Sequence, residues 1–282
     1  MSAIVTDAMR EQFARDGVLV LQGFYDAERE ILPIQRAVYE IIGLVADRHG
    51  VVLQRKAFSP THFDAGYNQL TSVDRAFGGE VYDLVKQIPA FVRLVCAEKS
   101  EALFRAMRGT DFAGIGTASY GIRIDRPHEE RFRSHWHQEF IFQPQSVDGI
   151  VFWSPLAVVT PELGPVVACV GSHRDGIRKV NRTGTGAAKS GAYKIGIVDD
   201  EVVAAGYRQI APLTQPGDLI LMDYLTIHQS GYNVSDRPRW SMQSRLFNFR
   251  DAYGMRLGWK ASITAGTEVQ ALFPEYFSEE SP

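Results

Sequence analysis

From about residue 111 onward the chain reads as short β-prone runs cut by Gly, Pro and Asp, and this punctuation restricts its fold more than any other feature. The runs are ASYGIRI (118–124), HWHQEFIF (135–142), GIVFWSPLAVV (149–159), PVVACVGSH (165–173), DLILMDYLTIHQSGY (218–232) and WSMQSRLFNFR (240–250). Strands at this spacing point to a sandwich or a closed barrel. Ahead of them the periodicity is helical. TDAMREQFARD (6–16) predicts a helix stopped by Gly17, and VLVLQGF (18–24) is an apolar β run. Asp26 opens a second helix in which Ile31, Ile34, Val38, Ile41, Ile42 and Val45 recur at helical spacing until Gly50. A third helical region spans roughly 72–108, broken near Pro89. The expected fold is mainly β, a double-sheeted barrel with N-terminal helices packed on it.

A chain of 282 residues can form one such domain. The expected division is a helical support region (1–110), a β core (111–250) and a C-terminal extension (251–282). Within the core, residues 174–211 are polar and Gly-rich, and a loop of that length is either disordered or functional, a lid being the common functional case and the expectation here. Lys189, Tyr193 and Lys194 are its candidates for closing over a substrate.

The charge balance argues against a nucleic-acid partner. There are 30 basic and 33 acidic residues, net −3, with no long run of one sign. Cys96 and Cys169 lie in apolar surroundings (RLVCAEK, VVACVGS) and are expected to be buried thiols in a reducing compartment. The N-terminal MSAIVTDAMREQF is too mixed and charged for a signal peptide, and no apolar run approaches the ~20 residues that cross a bilayer. A cytoplasmic protein without a membrane partner is the expectation.

The stretch SHWHQEF (134–140) concentrates the chemistry. Read as a strand, it turns His135, His137 and Glu139 to one face. At ~3.3 Å per residue the outer two stand ~13 Å apart, too far to clamp one ion together. Either His135 with His137 or His137 with Glu139 could chelate, and His228 in LTIHQSGYN is the candidate third ligand. A tight turn over 233–236 would pair Ser230 with Arg239 and His228 with Ser241, so His228, Ser230 and Arg239 would share a face. A guanidinium and a hydroxyl beside a metal ligand suit the far carboxylate of a chelated keto acid.

These residues resemble the phytanoyl-CoA dioxygenase family of Fe(II)- and 2-oxoglutarate-dependent oxygenases, from EQFARDGVLVLQGF to about Arg250. WHQE and TIHQSGYN are similar to its His-x-Asp/Glu…His pattern, GPVVACVGSH to its Gly-Pro-Leu…Pro-Gly-Ser-His stretch, and QPGDLILMD to its Gly-Asp strand. The resemblance implies a double-stranded β-helix. It also implies iron on His137, Glu139 and His228, and 2-oxoglutarate held by Arg239 and Ser230 beside Trp153. Dioxygen would be consumed, and a small metabolite hydroxylated with release of succinate and CO2. Glu139 stands where Asp is usual, Val170 where the family has Pro, and Leu163 where Asn is common. A carboxylate at this place also argues against halogenation.

Tyr120, Arg123, His135 and Arg245 are the candidate substrate contacts. The arginines around them (Arg126, Arg131, Arg133, Arg250) suggest an anionic substrate, unless they pair with Glu129 or Glu130 at the surface. Two other classes use the same residues: a cupin-type dioxygenase or isomerase with His135, His137 and His228 on the metal and no 2-oxoglutarate, and a non-catalytic jelly-roll binding module.

Overall fold

The computed structural model describes residues 5–116, 119–182, 195–260, 270 and 273–277. Helix α1 (Asp7–Asp16) starts where the Thr6 hydroxyl accepts from the Met9 N–H, and it ends at Gly17 with φ 69°. β1 (Val18–Leu21) follows directly. The second helix begins later than its periodicity suggests. Asp26 caps a five-residue π-helical turn, Ala27–Ile31, and α2 (Leu32–Arg48) takes over with Pro in its first turn. The third helical region divides into α3 (Tyr67–Val73), α4 (Arg75–Val85), α5 (Pro89–Val95) and α6 (Glu98–Arg108). Asp74 caps α4, and Pro89 sits at the start of α5, where its missing N–H removes nothing.

The β region comprises β2 (Ala113–Ile115), β3 (Gly121–Asp125), β4 (Gly149–Pro155), β5 (Val166–Cys169), β6 (Val180–Arg182), β7 (Ile195–Ile197), β8 (Gln209–Ile210), β9 (Leu219–Asp223), β10 (His228–Ser230) and β11 (Arg239–Asn248), with α7 (Asp200–Ala205) before β8 and α8 (Ala252–Leu257) at the end. A six-stranded sheet runs β1-β9-β4-β11-β2, with β3 also on β11, and a three-stranded sheet runs β10-β5-β8. All these pairings are antiparallel.

The large sheet is covered on both faces, which explains the unbroken apolar run LILM in β9. Leu219 and Leu221 join Phe152, Trp240 and Met242 against the helices. Ile220 and Met222 turn the other way, to Val151 and Trp153 and to Val166 and Ala168 of the small sheet. Trp240 is wedged edge-on against Phe63 and Tyr67 of the helical layer. Among the described residues, no helix is long and apolar enough to cross a membrane.

Four expectations need correction. HWHQEFIF is not a strand: His137 makes a single bridge to His228, and Glu139–Phe142 is a 3-10 turn. β10 and β11 form no hairpin, because β10 pairs with β5 and β11 with β3 and β4. The Asn233 amide instead ties the connection down, donating to the carbonyls of Asp125 and Arg237. The described ends of 174–211 are not plain loop, since β6 pairs with β7 and α7 and β8 follow. Lys189, Tyr193 and Lys194 lie outside the described residues. Cys169 is buried as expected, but Cys96 caps the end of α5 and is exposed.

Candidate metal centre

His137 and His228 stand opposite each other on neighbouring chain segments, each backbone N–H donating to the other's carbonyl at 3.0 Å. This is the hydrogen-bonded type of antiparallel pair, and it brings the ring centroids to 4.2 Å. Each imidazole is oriented by its own backbone. His137 Nδ1 donates to the His135 carbonyl at 2.7 Å, and His228 Nδ1 to the Thr226 carbonyl at 2.8 Å. Both Nε2 atoms are thereby left as acceptors, the form in which imidazole binds a metal. After Gln138 the 3-10 turn swings Glu139 inward, so that Oε2 lies 3.9 Å from His137 Nε2 and 3.8 Å from His228 Nε2. One ligand atom from each of the three lies within 4.8 Å of the others.

The electrostatics suit a cation. Burial, reinforced by the neighbouring His228, holds the His137 pKa down to about 3. Burial also lowers His228. Both rings are therefore neutral and ready to ligate. Burial opposes ionisation of Glu139, but the Arg245 guanidinium overcomes it and keeps the carboxyl below its usual range.

Arg239 lies on the face of β11 that also carries Ser241, Gln243 and Arg245, while Trp240, Met242 and Leu246 face the helices. Its side chain is 1% exposed. Nη2 donates to Ser230 Oγ at 2.9 Å and to Asp125 Oδ2 at 2.6 Å. Nε and Nη1 are buried with no hydrogen-bond partner among the described residues. A buried guanidinium in that condition is poised for an anion. Ser230 thus meets Arg239 across the two sheets, not across a hairpin. Trp153 stands beside them, its ring centroid 6.0 Å from the Arg239 guanidinium carbon.

The other expected site residues are dispersed. His135 is 54% exposed, with Nε2 3.7 Å from Glu130, and its imidazole is absent from the metal-competent cluster. Tyr120 packs its ring against Phe91 of α5 on the helical side. Arg123, on the inner face, donates to Asp125 and to the Phe132 carbonyl. Arg245 donates to Glu139 itself, 2.9 Å from Nε to Oε1. Arg126 and Arg133 pair with Glu129 and Glu130, and Arg250 with Asp111.

Two contributors escaped the sequence. Asp125 bridges Arg123 and Arg239; its parity with Arg123 in GIRID is the signal that could have found it. Gln138 lashes the centre to the segment beyond β5, donating to the Gly176 and Leu225 carbonyls and accepting from the Arg178 N–H. An apolar cleft opens beside His137, lined by Phe142, Ile177, Val180, Ile195 and Ile197.

Residues 13–241 match the family model for phytanoyl-CoA dioxygenase, PhyH. The chain belongs to that family. EctD from S. alaskensis, crystallised with 2-oxoglutarate and 5-hydroxyectoine, is 19% identical over 88% of this chain and 77% of its own, with a TM-score of 0.57. SnoK, the non-heme alpha ketoglutarate dependent carbocyclase from nogalamycin biosynthesis, is 13% identical over 92% of each chain, with a TM-score of 0.55. The epimerase SnoN, in complex with Fe3+, alpha ketoglutarate and nogalamycin RO, is 17% identical over 86% of this chain and 83% of its own, with a TM-score of 0.54. No curated protein matches. The likeness to these structures places this family member in the mainly β, double-stranded β-helix fold with a helical layer.

Proposed function

We propose that the protein is an Fe(II)- and 2-oxoglutarate-dependent oxygenase that hydroxylates a small molecule. The observation that carries this reading is the buried Arg239, with two donor nitrogens unpartnered among the described residues, set two strand positions from a His-Glu-His cluster through Ser230. Two imidazole nitrogens and a carboxylate oxygen are the donor set of non-heme iron oxygenases. EctD and SnoN were crystallised with the same keto acid, which supports the assignment within this fold.

His137, Glu139 and His228 would hold the iron. Arg239 and Ser230 would grip the distal carboxylate of 2-oxoglutarate, with Trp153 as a wall. When bound, iron and 2-oxoglutarate use dioxygen to place one oxygen atom in succinate and the other in the substrate, with loss of CO2. The chain's own part is orientation and exclusion of water. The two backbone carbonyls fix the imidazole tautomers, and the sheets keep Glu139 at 4% exposure. An anionic substrate draws less support, because Arg126 and Arg133 already have carboxylate partners. The half-exposed His135 disfavours a three-histidine centre.

The test is succinate formation from 2-oxoglutarate by the iron-loaded protein in air. Succinate is expected from the wild type and not from His228→Ala; equal yields from both would overturn the proposal.

A further inference from the structure

The two oxygens of Glu139 are treated differently. Oε2 faces both imidazoles, at 3.9 and 3.8 Å from their Nε2 atoms. Oε1 accepts from Arg245 Nε at 2.9 Å, whereas the approach of Arg245 Nη2 to Oε2 is long, 3.4 Å. Arg245 is itself held away from free rotation. Nη1 donates to the Ser119 carbonyl at 3.2 Å and Nη2 to Gln243 Oε1 at 2.8 Å, and its backbone is paired with Val151 in mid-sheet. The guanidinium therefore has a fixed position from which it claims one carboxylate oxygen.

We propose that Arg245 is a positioning residue that restricts Glu139 to one-oxygen ligation of the metal. This inference rests on the iron and 2-oxoglutarate reading and goes beyond it. A carboxylate can ligate through one oxygen or two, and glutamate, one methylene longer than aspartate, reaches both modes easily. An octahedral ion carrying two imidazoles and one carboxylate oxygen keeps three positions open. A second carboxylate oxygen would take one of them. The keto acid would fill the remaining two, and dioxygen would have none. By occupying Oε1, Arg245 preserves the third position. It also explains why the family's usual aspartate can be replaced here, since the longer arm comes with a restraint. The arginine is thereby placed behind the metal ligand and not in a substrate pocket.

Loss of Arg245 should separate two quantities that loss of a merely structural arginine would lower together. In Arg245→Met, affinity for Co(II) or anaerobic Fe(II) should stay within about threefold of wild type, because Glu139 can then offer both oxygens. Affinity of the Fe(II)–2-oxoglutarate complex for nitric oxide, a stand-in for dioxygen at the third position, should fall at least about tenfold, while the visible band of the iron chelate is kept. Arg245→Lys, with one donor in place of a fork, should fall between the two, and it decides the matter if the methionine variant does not fold. Wild-type nitric oxide affinity in either folded variant, or metal and nitric oxide binding lost in proportion, would overturn the proposal. A wild-type protein that shows no chelate band would instead overturn the iron and 2-oxoglutarate reading itself.

Discussion

His137 enters the fold as a neutral ring, and that has a consequence for stability. Its pKa is held down to about 3 in the folded protein by burial and by His228, whereas an unfolded histidine titrates near ~6.5. As pH falls below that unfolded value, the unfolded chain takes up a proton that the folded chain refuses. Stability from this group is thus complete above ~6.5 and drains away as pH approaches the folded value. The metal-free protein should unfold at lower urea concentration at pH 5 than at pH 7, and the difference should shrink in His137→Asn. Asp125 makes a second test. Burial opposes its ionisation, yet Arg123 and then Arg239 keep its carboxyl below the usual range. Asp125→Asn leaves the buried Arg239 less compensated. Its melting temperature should drop without ligand, and anaerobic 2-oxoglutarate with iron should raise it by more than in wild type. An equal ligand-induced rise would mean that Asp125 does not balance Arg239. Glu139 and His228 were legible as candidate ligands from their neighbours in WHQE and TIHQSGYN. The partnership of Arg245 with Glu139 was not, because side chains that meet across 106 residues leave no local spacing to count.

Strand β11 was easy to read as an element, and its pairing was not. WSMQSRLFNFR alternates cleanly, so Arg239, Ser241, Gln243 and Arg245 fall on one face whatever lies beside them. The expected hairpin with β10 gave the right neighbours for the wrong reason: Ser230 reaches Arg239 from the facing sheet. Turn-forming residues at 233–236 signal a reversal of direction but not whether the chain stays in the same sheet. SHWHQEF misled for a related reason, since β-prone residues mark a buried extended segment even when only His137 completes a bridge. The connection between α1 and β1 is more demanding than it looks. Gly17, at φ 69°, accepts at its carbonyl from the Asp223 N–H and the Thr226 hydroxyl, and Thr226 in turn orients His228. A Cβ there would stand 2.3 Å from His173 Nδ1 and 2.5 Å from Thr226 Oγ1. Gly17→Ala should cost ~1–3 kcal/mol in urea unfolding and weaken Co(II) binding as His228 loses its orientation. Unchanged metal affinity in the folded variant would show that the link from Gly17 to His228 is not rigid.

The molecule as a whole is organised by a sheet that is apolar on both sides. The helices supply one cover and the small sheet the other, so that the candidate metal-binding residues sit between layers with little solvent. This division was visible in the sequence as a change from helical to strand periodicity near residue 111. The order of strands was not, because β1 pairs with β9 across about 200 residues and nothing local encodes that choice. Leu221, fully buried against the helices, tests the layering. Leu221→Ala should lower unfolding free energy by ~2–5 kcal/mol and shift the loss of helix and of tertiary signal together; helical signal that survives the loss of the sheet would contradict a shared core. The most direct measurement of the central claim is anaerobic titration of the Fe(II)-loaded protein with 2-oxoglutarate, followed by the visible charge-transfer band of the chelate. Wild type should give a saturable band and His228→Ala none, and Arg239→Ala should need ~10- to 100-fold more 2-oxoglutarate. Iron bound without a band, or a band indifferent to Arg239, would rule out a 2-oxoglutarate site at this centre.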